Sequence, residues 1–358
     1  MTRQDQSGPS ASGRPARPSR LRNAGINLGV ILATGALIGL SLEYVAVPIV
    51  DDGMQYDLEM WKYARHVKRV SENPELGHAH RPGAREMLMG REVTTNSLGL
   101  RDREIDPEKK PAATRILMLG DSITFGWGVR QDLTVPQRLQ SALGGSGVEV
   151  INSGVGNYNT RMEVEYFLTE GYKLKPDIVV LNYFVNDAEP VPSYDNSLLE
   201  KYSKAFVYFS SRWDAAMRGA GLGGGQQTDW KSYYRGLYED RTNPGGWSGA
   251  EKAIERAAAY CREHGMQFAI VHYPELRELR PYPFAEVTAR LRTLSERLGV
   301  PFIDLLPSVE KEPPASLWVT VPDPHPNERA TELFAAALVE PLRAMAAGVA
   351  AKRAAKAN

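Results

Sequence analysis

Short unbroken apolar runs alternate with longer segments whose apolar positions recur every three to four residues between positions 112 and 346. The runs Arg115 to Leu119, Val148 to Asn152, Asp177 to Asn182, Gln267 to His272 and Pro301 to Leu305 predict five strands. The periodic segments Thr134 to Leu143, Arg161 to Leu174, Ala250 to His264, Phe284 to Leu298 and Glu328 to Ala346 predict helices between and after them. Strands apolar on both faces, separated by helices, make an α/β domain with a parallel sheet covered on both sides and right-handed connections.

Outside this alternation the pattern changes three times. Residues 24–42 hold no charge over 19 positions, close to the roughly 20 needed to cross a bilayer. The preceding residues 1–23 are rich in Ser, Gly, Pro and Arg and have little to bury, which predicts a disordered tail. Its arginines, by the positive-inside rule, put the tail in the cytoplasm and the body in the periplasm or outside the cell. The anchor reading competes with a cleaved secretory signal, although the bulky Glu43 to Val50 offers no small-residue cleavage site. Residues 43–111 are mixed and turn-rich, a lead-in expected to pack on the core domain at 112–346. Between the third and fourth strands an insertion at about 188–248 carries a glycine-rich linker, Gly221 to Gly225, and the rings Trp230, Tyr233, Tyr234, Tyr238 and Trp247. Those rings suit either the core of a small helical cap or a sugar-stacking wall. Residues 347–358 read as a C-terminal tail.

Charge narrows the partners. The chain has 43 basic and 43 acidic residues, and with five arginines and one acid in residues 1–22 a basic tail precedes a mildly acidic body. No basic groove interleaved with aromatics is legible, which argues against nucleic acid. One cysteine, Cys261, forms no internal disulfide and reads as a buried thiol. His78 and His80 invite a metal reading but lack a spaced third ligand, so neither metal nor other cofactor is expected.

The candidate chemistry sits at strand exits. The first strand runs into Gly120-Asp121-Ser122, the second into Asn152-Ser-Gly-Val-Gly-Asn157, the third into Tyr183-Phe-Val-Asn-Asp187, and Asp323-Pro-His325 follows the fifth. Together they supply a hydroxyl, a loop of backbone amides, a side-chain amide, and a carboxylate two residues from an imidazole. Ser122 needs a base to become nucleophilic, and His325 can act near neutral pH. Asp323 would orient its ring, Asn186 would stabilise an oxyanion, and Asp121 would brace the turn. His272 is the next candidate base.

The order Gly-Asp-Ser, glycine loop, Asn-Asp, Asp-x-His-Pro resembles the SGNH subgroup of the GDSL esterase and lipase family over roughly residues 112 to 346. The resemblance implies a flavodoxin-like three-layer α/β/α sandwich, Ser122 as nucleophile, His325 as base and Asp323 as its partner. It implies an oxyanion hole from the Ser122 amide, the Asn186 side chain and one loop amide, from Gly156 or alternatively Gly154 or Asn157, with Asp187 supporting. Two departures stand out: Phe184 replaces the family's usual glycine, and Asp323 and His325 are two residues apart rather than three, which leaves room for a looser contact. The expected function is a membrane-anchored extracytoplasmic serine ester hydrolase. Its substrate would be an acylated small molecule or glycan, with envelope polysaccharide and its machinery as the setting. The alternatives are an O-acetyltransferase of an exopolysaccharide using the same site, and a non-catalytic module that binds glycan or a partner on the same fold.

Overall fold

A computed structural model describes residues 20–110, 112–191, 197–219, 229–321 and 323–357. The predicted basic tail as far as residue 19 and the Gly221 to Gly225 linker lie outside the described residues. The chain divides into two units, Met1–Val50 and Asp51–Asn358.

In the first unit a helix, Arg20–Ser41, continues through a π-helical turn, Leu42–Ala46, into Val47–Val50. The helix therefore continues past the uncharged stretch 24–42 and through Glu43. The candidate span is Arg22–Val50, 29 residues containing an 18-residue window of mean hydropathy 2.0, or about 43 Å at 1.5 Å per residue. That exceeds the roughly 30 Å of a bilayer's hydrocarbon core. Ile31, Leu32 and Leu37 are 66%, 63% and 65% exposed, so the helix presents bare apolar surface.

In the second unit the strands in chain order are β1 (Lys68–Val70), β2 (His78–His80), β3 (Arg85–Leu88), β4 (Arg91–Thr94), β5 (Thr114–Leu119), β6 (Val148–Asn152), β7 (Ile178–Tyr183), β8 (Gln267–His272) and β9 (Phe302–Asp304). The last five form one parallel sheet in the order β6-β5-β7-β8-β9, the doubly wound flavodoxin-like order. The two-residue side-chain period explains the unbroken apolar runs. Leu117 and Leu119 pack on one face with helices Thr160–Thr169, Gly246–Glu263 and Ala285–Leu298, while Ile116 and Met118 pack on the other with Val135–Leu143 and Glu328–Ala357. Helix Glu328–Ala357 is also long and apolar enough to cross a membrane. Its Ala330, Phe334, Leu338 and Leu342 are fully buried against the sheet, so it is a core helix. It continues to Ala357 rather than ending near Ala346, because alanine favours helix throughout its last turns. Cys261 is buried, and burial pushes its thiol up to about 12.

The lead-in forms helix Tyr56–Lys62, a π-helical turn Tyr63–Val67 and two antiparallel hairpins, β1/β2 and β3/β4. The described part of the insertion forms helices Leu198–Tyr202, Lys204–Gly219 and Trp230–Gly236. The first docks on the lead-in, where Trp61 Nε1 donates to the Glu200 carbonyl at 3.1 Å. The aromatics of the insertion are mainly packing: Trp230 and Tyr234 meet Phe284 edge-on, and Trp247 meets Tyr183 edge-on.

Candidate active site

β5 ends at Leu119 and the chain turns through Gly120 and Asp121 into a one-turn helix, Ser122–Phe125. Asp121 caps that helix, accepting from the Ile123 amide at 2.8 Å. Gly120 is required here, since a Cβ would lie 2.0 Å from Thr124 Oγ1. Buried Arg101, from the lead-in, closes the far side by donating to the carbonyls of Phe125, Gly126 and Val129 at 3.0, 2.6 and 2.7 Å. The turn thus fixes Ser122 at the carboxyl edge of the sheet.

Ser122 Oγ lies 2.9 Å from His325 Nε2, and His325 Nδ1 lies 2.5 Å from Asp323 Oδ1. The carboxylate on Nδ1 selects the tautomer with its proton there, leaving Nε2 free to accept from Ser122. Asp323 Oδ1 also accepts from the His325 main-chain amide at 3.1 Å, and Oδ2 accepts from Trp127 Nε1 at 2.9 Å. The two-residue spacing therefore does not loosen the contact; the loop folds so that the carboxylate meets both ring and backbone of His325. Burial by itself would lower the His325 pKa, but the hydrogen bond and charge of Asp323, with the charges of Asp121 and Glu275, outweigh it and hold the ring above its ordinary value. Burial raises Asp323, yet its bonds and attraction to His325 bring it below the usual carboxylate value. His272 is fully buried on β8, with Thr288 Oγ1 3.3 Å from Nδ1, and does not line the pocket.

Opposite Ser122, Asn186 Nδ2 makes only a long contact of 3.5 Å to Asp121 Oδ2, so a ligand oxygen can compete for it. Asp187 Oδ2 accepts from the Phe184 amide at 2.8 Å and closes the turn that carries Asn186. Phe184 keeps ordinary extended backbone, and its ring meets Tyr234 edge-on, forming a wall of the pocket in place of the expected glycine.

The loop after β6 carries the three residues from which a donor is expected, Gly154, Gly156 and Asn157. The Gly156 amide donates to Tyr63 Oη at 2.8 Å and the Gly154 amide to Asn152 Oδ1 at 3.0 Å, so both are engaged. Asn157 lines the pocket, in left-handed backbone with φ 67°. Among the described residues the main-chain amides of Ser122 and Asn157 have no acceptor. Gly154 serves packing, as a Cβ there would lie 2.2 Å from the Phe125 nitrogen directly behind Ser122.

Most of the residues that sequence reasoning missed come from the lead-in, and Trp127 comes from the turn after Ser122–Phe125. Tyr63 Oη accepts from Gly156 and stands 2.7 Å from His80 Nε2, whose Nδ1 is 3.1 Å from the Gly99 carbonyl. His78 Nε2 is 2.9 Å from the Gly156 carbonyl. Burial drives both imidazoles down, to about 2 for His78 and about 3 for His80, with the Lys68 charge adding to it. They are neutral hydrogen-bonding struts for the glycine loop. The alternation His78-Ala79-His80 on a strand was the available signal: residues two apart share a face, here the inward one. Trp127 and Arg101 left no such signal.

These groups surround a pocket of about 320 Å³ lined by Ser122, His325, Asn186 and Asn157, with Tyr56, Phe184 and Tyr234 as aromatic walls. Among the described residues no group of three or more His, Cys, Asp or Glu side chains is arranged to hold a metal ion. The arrangement can transfer a proton from Ser122 Oγ to His325 Nε2 and offer amide donors to an oxygen beside Ser122.

Solved structures similar to this chain include TesA (14% identity, 64% of this chain and 98% of that one, TM-score 0.42). Others are a catalytic mutant of the acetylxylan esterase Axe2 from Geobacillus stearothermophilus (13%, 65% and 95%, 0.41) and the lipase/acylhydrolase from Enterococcus faecalis (16%, 65% and 96%, 0.36). A search of curated proteins found no match. The model of the GDSL-like Lipase/Acylhydrolase family matches residues 118–333, more than half of the chain and the whole stretch from the end of β5 into the helix after His325, and the chain belongs to that family.

Proposed function

We propose that this protein is a serine ester hydrolase that cleaves carbon-oxygen esters through an acyl-Ser122 intermediate, acting outside the cytoplasm on an acylated glycan while anchored by its N-terminal helix. The observation that carries the reading is the unbroken chain Asp323 Oδ1 to His325 Nδ1, at 2.5 Å, and His325 Nε2 to Ser122 Oγ, at 2.9 Å, opening into a pocket. In this reading His325 takes the Ser122 proton as Oγ attacks the ester carbonyl, and Asp323 stabilises the imidazolium. The amides of Ser122 and Asn157 and the Asn186 side chain receive the negative charge that forms on the carbonyl oxygen. The tetrahedral adduct then expels the alcohol, which leaves with the proton from His325. Water, deprotonated by the same ring, attacks the acyl-serine and releases the acid. The exposed apolar helix behind an arginine-bearing segment supports the anchor.

A fluorophosphonate probe with p-nitrophenyl acetate tests the chemistry. The expected result is labelling at Ser122, release of free acetate even with a sugar acceptor present, and loss of both labelling and hydrolysis in Ser122→Ala. Hydrolysis undiminished in that variant excludes the proposal.

A further inference from the structure

A second groove, of about 510 Å³, adjoins the site and shares Asn157 with it. Its walls are the π-helical turn after Trp61, the β1/β2 hairpin and the helix ending at Tyr202. Five basic side chains line it: exposed Arg65, Arg69, Arg81 and Lys201, and Lys68, whose burial drives it toward the neutral form. Among the described residues none of the five is ion-paired, although arginines elsewhere are, Arg115 with Glu149 and Arg329 with Glu312 for example. Glu200 is the one acidic residue in the lining. Four exposed cations without a paired carboxylate, gathered in one groove of a mildly acidic body, make a local positive field that attracts anions. The Arg65 guanidinium lies 5.7 Å from the Trp61 ring and 4.8 Å from the Tyr202 ring, and Tyr202 is 61% exposed, so aromatic faces stand beside the charges. Lys68 joins the groove to the site: it is only 8% exposed, and its Nζ donates to Asn157 Oδ1 at 2.7 Å.

We infer that this groove binds a carboxylate-bearing stretch of a saccharide chain, so that the acylated sugar enters the Ser122 pocket while neighbouring uronate-type residues lie along Arg65, Arg69, Arg81 and Lys201. Aromatic faces stack on sugar rings, the cations pair with the carboxylates, and the concave passage to Asn157 suits a chain rather than a flat surface. This rests on the reading of the Ser122 pocket as an ester-cleaving site. Burial also drives the Lys68 ammonium well down, and a carboxylate in the groove would restore its charge and hold Asn157.

Binding is measured without turnover, on the full chain in detergent carrying Ser122→Ala. The probes are hexagalacturonate, mannohexaose and glycerophosphoglycerol, the last standing for an anionic lipid headgroup. Hexagalacturonate is expected to bind at least about tenfold more tightly than mannohexaose, with affinity falling as salt rises. Arg69→Glu combined with Arg81→Glu should weaken it at least about tenfold. Both side chains are exposed; should the reversal lower Tm, Arg69→Gln with Arg81→Gln gives the same test at smaller amplitude. Equal affinity for the neutral chain, insensitivity to the double substitution, or tighter binding of glycerophosphoglycerol overturns the inference. Hydrolysis of p-nitrophenyl acetate by the Ser122-containing chain reports on the ester reading separately. Hydrolysis without hexagalacturonate binding removes only the groove, whereas binding without hydrolysis supports the groove as a saccharide site and removes the ester reading.

Discussion

Three donors converge on the Asp323 carboxylate: the His325 ring, the His325 amide and the Trp127 indole. With its neighbours fixed in this way, Asp323→Asn should preserve the fold while removing the charge that sets the tautomer, and kcat should fall by roughly 10³- to 10⁴-fold. The pH profile adds a second reading. The proposed mechanism needs neutral His325, and its pKa is held above the ordinary value of about 6.5. In the wild type, kcat/KM should therefore decline on acidification with a midpoint above that value, and in Asp323→Asn the residual activity should decline at lower pH. A midpoint unchanged by the substitution contradicts the role given to Asp323. Asn186→Ala removes one donor to the developing oxyanion and should cost about 10²- to 10³-fold in kcat with little change in KM.

Each segment around Ser122 is held by another some distance away in sequence. The glycine loop hangs on Tyr63, whose hydroxyl accepts from the Gly156 amide. Tyr63→Phe leaves that buried amide unpaired and should lower stability by about 1–3 kcal/mol in urea titrations. It should also reduce kcat by about tenfold or more as Asn157 loses its position. Gly154→Ala would force a methyl against the Phe125 backbone and should give little folded protein, read by soluble yield and Tm. The five sheet strands and the Ser, Asn, Asp and His side chains were legible because apolar runs and polar residues at their ends are properties of the local sequence. Tyr63, Lys68, Arg101 and Trp127 were not, because each meets a backbone group or side chain 24 to 196 residues away. Nothing local marks such a partner. The unengaged Asn157 amide was legible only as an alternative to Gly156, since the sequence shows which residues are small and not which amides are already bonded.

At the scale of the whole chain, the body Asp51–Asn358 contains the entire sheet and every residue of the proposed site. Removing residues 1–50 should leave kcat toward a water-soluble ester within about twofold of the full chain, while the protein moves from the membrane pellet to the supernatant. Retention in the pellet after high-salt washing would show a second membrane contact. The boundary that matters for activity is a different one. The family match begins at residue 118, yet Tyr63, Lys68, His78, His80 and Arg101, which hold the loop and turn of the site, all precede it. A graft of the recognisable region onto another protein would carry the triad and lose its supports. The shortest fragment expected to keep the proposed site assembled is therefore longer than the region by which the chain's kinship is recognised.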